Sequence, residues 1–334
     1  MMTMNIACAT DNNYAPYCGI MLTSLFENNK DHSFSVYILS RGLSEEHCSK
    51  FDILARKYHS EIKIVNMNNY DWSNCPVRGW AELPVETYFR IVLPDVLPEN
   101  IHKILYLDVD MVINSSIENL YMQDIDDAPL CACVDYGMSV DCNDVETRLG
   151  VETRLGVETK NYFNAGVLLI NLSYWRTYHI SERCFELINS NPDILKYHDQ
   201  DVLNFVLHRA PQRIKYMDIT YNFMTKLIQT QVFKRVTNEI QSRISQCANP
   251  TIVHFASLIK PWFQLCADPY KPLFLYYKRQ SLWADTPQIK NYETLRQYLG
   301  WQRRLFEMKI GMRKPWYMSK RELRKIAKSQ NTPA

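Results

Sequence analysis

The sharpest chemical feature of this 334-residue chain is a pair of carboxylates, Asp108 and Asp110, set around Val109 at the end of the apolar run KILYL. In an extended chain, side chains at i and i+2 face the same way, so the two acids converge. Carboxylates that close repel one another unless a cation lies between them. A hard divalent ion such as Mn2+ or Mg2+ suits the pair, and it can share its remaining positions with diphosphate oxygens. Spacing alone is a weak signal, because Asp124-Ile125-Asp126 and Asp199-Gln200-Asp201 repeat it. The strand before Asp108 sets that pair apart from a solvated turn.

Other polar residues interrupt apolar runs. His254 closes the strand-like TIVH. It reads either as a core histidine satisfied by a hydrogen bond or as a ligand, and an imidazole favours Mn2+ over Mg2+. Lys260, in IKPW, can place an ammonium on a phosphate. Gly166 implies close backbone approach within an apolar strand, and Asn164 beside it has the donors and acceptors that a sugar hydroxyl needs. Asp199-Gln200-Asp201 opens a helix; dipole compensation accounts for one acid but leaves Gln200 without a role.

Glycine is scarce: nine residues, no two at G-x-G spacing. A Rossmann fingerprint and a Walker A loop are therefore excluded, and if the chain binds a nucleotide, something other than a glycine cradle must handle the phosphates, which turns attention to a metal. Eight of the nine read as turns, repeat units or helix ends, which leaves Gly166 as the one glycine in the site.

The elements that must position these residues follow from periodicity. Residues 4–10, 34–39 and 61–65 read as strands, separated by helices over 15–28 and from Ser44, a natural N-cap. This alternation predicts an α/β fold with a mainly parallel, doubly wound sheet. Further strands are expected at 103–107, 130–134, 161–170 and 251–255. Helices are expected at 86–93 (stopping at Pro94), at 199–208, and around 271–283 and 291–299. No low-complexity linker divides 1–285, so that stretch reads as one domain, with 286–334 as a C-terminal helical extension.

Charge is uneven. Residues 301–334 carry ten Lys or Arg and two Glu, a net +8, against −6 for the rest. Trp301, Phe306, Trp316 and several methionines are interleaved with the basic residues. That mixture suits an anionic membrane surface and fits nucleic acid less well; a solvated tail is the plain alternative. No apolar run reaches the roughly 18–20 residues of a membrane span, and MMTMNIACATDNNYA lacks a basic n-region. Ten irregularly spaced cysteines with no C-x-x-C read as reduced thiols in a cytoplasm. VETRLG at 145–150 recurs at 151–156, and VET begins again at 157. A period of six is too short for a solenoid, so the repeat reads as a duplicated surface segment, a helix laced by Glu–Arg pairs.

Six ordered blocks resemble glycosyltransferase family 8: ATDNNY (9–14), TYFR (87–90), LYLDVD (105–110), YFNAGVLLIN (162–171), DQD (199–201) and HFxxxxKPW (254–262). Within that family the chain looks most like bacterial lipopolysaccharide α-galactosyl- and α-glucosyltransferases. The resemblance implies a GT-A fold over 1–285, a UDP-glucose or UDP-galactose donor, Mn2+ (or Mg2+), a glycan or glycolipid acceptor, and retention of anomeric configuration. It places Asp11 and Asn13 on the uridine, and Asp108, Asp110 and His254 on the metal, with Asp108 also near the ribose. Lys260 falls on the diphosphate. Arg90, Asn164, Ala165, Asp199 and Gln200 fall on the donor sugar, Asp135 lies beside sugar and acceptor, and Gln200 with Asp199 takes the catalytic face. The basic aromatic tail looks like the membrane-attachment tail of those enzymes, which implies a cytoplasmic protein peripheral to the inner face of the membrane. Two features depart from the family: Ser257 stands where H-x-x-G-x-x-K-P-W has glycine, and the VETRLG repeat lengthens a loop near the acceptor. A self-glucosylating primer protein, a nucleotidyltransferase and a non-catalytic carbohydrate-binding module are the rival readings. Added hexoses on the protein's own tyrosines would mark the first, a Gly-rich phosphate loop the second, and failure to hydrolyse donor the third.

Overall fold

Strand and helix alternate through the N-terminal part as the apolar spacing requires. A computed structural model describes residues 2–77, 83–141, 145–247 and 249–330; at 139–141, 145–149 and 329–330 it describes the backbone only. Among the described residues the strands are β1 (Thr3–Ala9), β2 (Ser33–Ser40), β3 (Glu61–Asn66), β4 (Lys103–Leu107), β5 (Met111–Ile113), β6 (Leu130–Val134), β7 (Phe163–Asn171), β8 (Lys215–Tyr216), β9 (Phe223–Met224) and β10 (Ile252–His254).

Seven of them form one sheet in the order β3-β2-β1-β4-β7-β6-β8. It is mostly parallel, as expected for the GT-A fold, with β7 running antiparallel to both β4 and β6. Alternate residues feed two cores: Ile6 and Cys8 of β1 with Val167 and Leu169 of β7 on one face, Ala7 with Leu168 and Ile170 on the other. A sheet covered on both faces needs apolar residues at nearly every position, and every residue of β7 is buried.

Two irregularities build the site. The β6–β7 register jumps from Ala132↔Leu168 to Val134↔Phe163, so residues 164–166 leave that ladder as a bulge. A second, three-stranded sheet, β5-β10-β9, starts one residue after Asp110. Its antiparallel pairing sets His254 opposite Met111, and Phe255 N donates to Asp110 O at 2.9 Å.

Several expectations change in detail. The segment at 86–93 is a 3-10 helix, Val85–Val92, and it runs into a short α-helix, Leu93–Val96, instead of stopping at Pro94. Proline is tolerated in a first turn, where its missing N–H has no partner to lose. Gly19 is neither a turn nor a helix end: it lies inside the helix Ala15–Glu27, and a Cβ there would sit 2.0 Å from the Trp283 ring. The repeat does form a helix, Val145–Leu155, but its second copy is not a surface segment. Val151 and Leu155 are buried against Tyr162 and Met138, and Arg154 pairs with the buried Asp201 at 2.6 Å instead of with a repeat Glu. The side chains at 145–149 of the first copy lie outside the described residues. The described cysteines are all free thiols and mostly buried.

Helix Leu295–Lys309 opens on a Thr294–Gln297 capping box and buries no residue. The chain then returns to the body. Thr230 N donates to Trp316 O and Met318 N to Ile228 O, both at 2.8 Å, and helix Lys320–Gln330 inserts Leu323 into the main core. Among the described residues no helix is long and apolar enough to cross a membrane.

Candidate active site

The loop ends of β1, β4, β6, β7 and β10 surround a cleft of about 390 Å3. Of the residues singled out above, Asp11, Arg90, Asp108, Asp110, Asp135, Asn164, Ala165, Gly166, Asp199, Gln200, His254, Ser257 and Lys260 line it. Asn13 does not; it stands in the exposed turn and donates to Asp11 Oδ2 at 3.2 Å.

Ligand atoms of Asp108, Asp110 and His254 lie within 4.8 Å of one another. Gly166 makes this possible, since a Cβ there would meet His254 Cε1 at 2.6 Å and Asp108 Oδ2 at 2.9 Å. Two carboxylates and one imidazole form a donor set that fits Mn2+. Asp110 Oδ2 lies 2.6 Å from Lys260 Nζ, and its Oδ1 lies 3.3 Å from His254 Nε2. Burial works to raise the pKa of Asp110, but Lys260 and His254 outweigh it and hold the carboxyl well below the usual range. Lys260 Nζ also donates to Phe255 O at 2.9 Å. Its segment is anchored by Trp262, which is buried and stacked on Tyr17 at 3.8 Å. Ser257 Oγ is turned back onto Ile259 O at 3.0 Å.

Arg90 is the hub between this triad and the rest of the cleft. The residue is 3% exposed. It contacts Asp108 Oδ1 at 2.9 Å, donates to Thr87 O and Ala165 O, and covers the Tyr106 ring. Burial disfavours its charge, but Asp108 and Asp199 outweigh that and raise its pKa. Arg90 Nε also lies 3.0 Å from Asp199 Oδ2, although its N–H is directed at Thr87 O, and Asp199 Oδ2 is left without a hydrogen bond. The Asp199 carboxyl is pushed up to about 6, by burial first and by the like charge of Asp108, against the pull of Arg90.

The bulge at 164–166 trades ladder bonds for side-chain bonds, as buried backbone requires. Asn204 clamps Phe163 through both amide ends. Gln200 Oε1 accepts from Ala165 N at 3.1 Å and from Asn164 Nδ2 at 3.0 Å. Gln200 Nε2 and Asn164 Nδ2 both donate to Asp135 Oδ2 at 3.2 Å. The helix-opening acids divide their labour. Asp201 accepts from Tyr197 N and Tyr162 Oη, which frees Asp199 and Gln200 to face the cleft.

Three contributors carried no sequence signal. Lys226 Nζ lies 3.5 Å from Asp135 Oδ1, and with the amide donors it lowers the Asp135 pKa against burial. Gly137, one of the eight glycines set aside above, packs against that lysine: a Cβ would lie 2.2 Å from Lys226 Cε. Asn222 is completely buried and joins Asn164 to His254. None of the three stands in a spaced motif; only the return of β9 alongside β10 brings the 222–226 segment here.

Known proteins share this arrangement of sequence. Lipopolysaccharide glucosyltransferase WaaO of Escherichia coli K12 is 30% identical over 295 residues, 86% of this chain and 81% of the relative. The lipopolysaccharide 1,3-galactosyltransferase of Salmonella typhimurium is 26% identical, over 84% and 79% of the two chains. The crystal structure of an active-site mutant of LgtC superposes with a TM-score of 0.70 at 26% identity, covering 84% of this chain and 96% of that one. The sequence profile of glycosyl transferase family 8 matches residues 5–266, a span that holds every residue of the cleft described above. The chain belongs to glycosyl transferase family 8 and has its GT-A-type fold.

Proposed function

We propose that this hexosyltransferase moves galactose or glucose from a UDP-sugar to a hydroxyl of a glycan acceptor, with Mn2+ and with retention of configuration, in lipopolysaccharide or other cell-surface glycan synthesis. The observation that carries this reading is the continuity of one cleft. A divalent-cation triad (Asp108, Asp110, His254) and a cluster of amides and acids suited to hydroxyls (Asp135, Asn164, Asp199, Gln200) are joined by the single buried Arg90. Relatives named for hexose transfer to lipopolysaccharide support the substrate class.

The division of roles follows from chemistry. Asp11, with Asn13 bonded to it, faces the uridine. Asp108, Asp110 and His254 would hold the ion, which would supply positive charge to neutralise the departing diphosphate. Lys260 moves its ammonium from Asp110 to the diphosphate and stabilises the growing charge there. Arg90, Asp199, Asn164 and the Ala165 backbone orient the sugar. Gln200 Oε1 lies on the sugar face but already accepts two N–H bonds. An amide oxygen so engaged is a poor nucleophile, which supports a front-face route in which the departing phosphate oxygen takes the acceptor's proton.

The membrane-contact surface is best placed on helix Leu295–Lys309. Leu295, Leu299, Phe306 and Ile310 recur at helical spacing and are all more than half exposed, with Arg296, Arg303, Arg304 and Lys309 around them. This reading places the protein in the cytoplasm, on the inner face of the membrane.

A donor panel with Mn2+, scored for nucleotide-sugar hydrolysis and for the anomer formed with acceptor, tests the function. Hydrolysis confined to UDP-glucose or UDP-galactose, with an α-linked product, is expected. An equal response to every nucleotide sugar, or no dependence on metal, rejects it.

A further inference from the structure

Asn222 ends the 3-10 helix Ile219–Asn222 and has no exposed surface. Its amide makes two bonds. Nδ2 donates to Asn164 Oδ1 at 2.8 Å, and Oδ1 faces His254 Nδ1 at 2.8 Å. The two ends of an amide, like the two tautomers of an imidazole, are settled only by a partner that has no choice of role. Here that partner is the Gly166 backbone N–H, which can only donate and which reaches Asn164 Oδ1 at 3.0 Å. The Asn164 atom at that position is therefore an oxygen. The same oxygen meets Asn222, so Asn222 turns its NH2 toward it. The other end of Asn222 is then a carbonyl oxygen, which only accepts. His254 must carry a proton on Nδ1, which leaves Nε2, the nitrogen that faces Asp110 within the triad, as the one that can offer a lone pair to a metal.

We infer that Asn222 is a positioning residue with two functions. It locks His254 in the tautomer that ligates a metal through Nε2, and it holds the Asn164 carbonyl so that the Asn164 NH2 points at Gln200 and Asp135. One amide thus couples the metal end of the cleft to the donor-sugar end. Partners that fix the tautomer of a ligating histidine typically change metal affinity by about 10–100-fold when lost. This inference rests on the metal-dependent reading above.

Two substitutions separate the functions. Asn222→Ala removes both bonds; Asn222→Asp keeps an acceptor for His254 Nδ1–H but sets an oxygen against Asn164 Oδ1. Mn2+ affinity, measured by electron paramagnetic resonance on the donor-free full chain, is expected to fall about 10–100-fold in Asn222→Ala. It should change by no more than about 3-fold in Asn222→Asp, while kcat for transfer falls at least about 10-fold in both. In 15N-histidine NMR of the metal-free wild type, His254 should show a protonated Nδ1, and that signature should survive in Asn222→Asp and weaken in Asn222→Ala. Wild-type His254 protonated on Nε2 alone, or equal Mn2+ affinity in wild type and Asn222→Ala, overturns the inference. If the wild type binds no Mn2+, the metal reading fails by itself, and the NMR measurement still decides whether Asn222 locks the tautomer. Should Asn222→Ala not fold, Asn222→Asp carries the test: loss of the Nδ1–H signature there overturns the proposal.

Discussion

Lys260 and His254 share one carboxylate: Lys260 Nζ lies 2.6 Å from Asp110 Oδ2, and His254 Nε2 lies 3.3 Å from Asp110 Oδ1. On the proposed function the lysine would compete with a metal for Asp110 until a diphosphate drew it away, so metal and donor should bind cooperatively.

Lys260→Met is expected to raise the affinity for Mn2+ alone about 10-fold, the scale of one charge-assisted hydrogen bond, and to weaken UDP binding. Titration of Mn2+ with and without UDP reads both effects. Weaker binding of Mn2+ alone in the variant would show that Lys260 assists the metal instead of opposing it.

Asp199 gives a pH signature. Its carboxyl is pushed up to about 6, so kcat/KM of the wild type should decline as pH falls through about 6, and Asp199→Asn should have low activity without that limb. Because the folded pKa lies above the unfolded one, this group's contribution to stability is full below the ordinary carboxylate range and is lost as pH rises through about 6. Asp110 runs the other way: its depressed pKa adds stability above the ordinary range that is lost in acid. Asp199→Asn should therefore melt a few degrees higher than wild type at pH 7, on the order of 2–4 °C, as seen by calorimetry.

Gly137 and Lys226 should act as one unit. Gly137→Ala puts a methyl where the lysine stem runs, but a long side chain can yield, so the melting temperature should barely change. Gly137→Ala and Lys226→Met should each slow transfer, and the double variant should be no slower than the worse single one. Additive losses would separate the two residues.

The exposed face of helix Leu295–Lys309 predicts a localised effect on lipid binding. Changing Leu299 and Phe306 to Ser should cut co-sedimentation with anionic vesicles by at least about 10-fold and leave donor hydrolysis intact. The same changes on Lys320–Gln330 should cost stability instead where they reach Leu323, which is buried in the body.

What could be read from the residues alone tracks the range of the forces involved. Asp108 and Asp110 were legible because two acids around one residue at the end of an apolar run form a local pattern, and the strands 4–10, 34–39 and 103–107 because short apolar runs are local. The reversal of β7 and the pairing of β5 with β10 are long-range choices with no local mark. Asn222, Lys226 and Gly137 stand outside any motif, because their significance comes from partners 32, 91 and 89 positions away, His254, Asp135 and Lys226. The second VETRLG copy deceived for a related reason: Arg154 stands four positions before Glu158, within i, i+4 reach, but a buried Asp201 offers it a stronger partner.

The register of β5 against β10 has a consequence for how such an enzyme can vary. Slipping that pairing by one residue turns His254 away from Asp110, so neither strand tolerates an insertion or a deletion. The chain between Asp135 and Asn161 has absorbed a six-residue duplication while its second copy remains docked on Asp201. A change of length in that segment therefore leaves undisturbed the β5–β10 ladder that sets His254 beside Asp110.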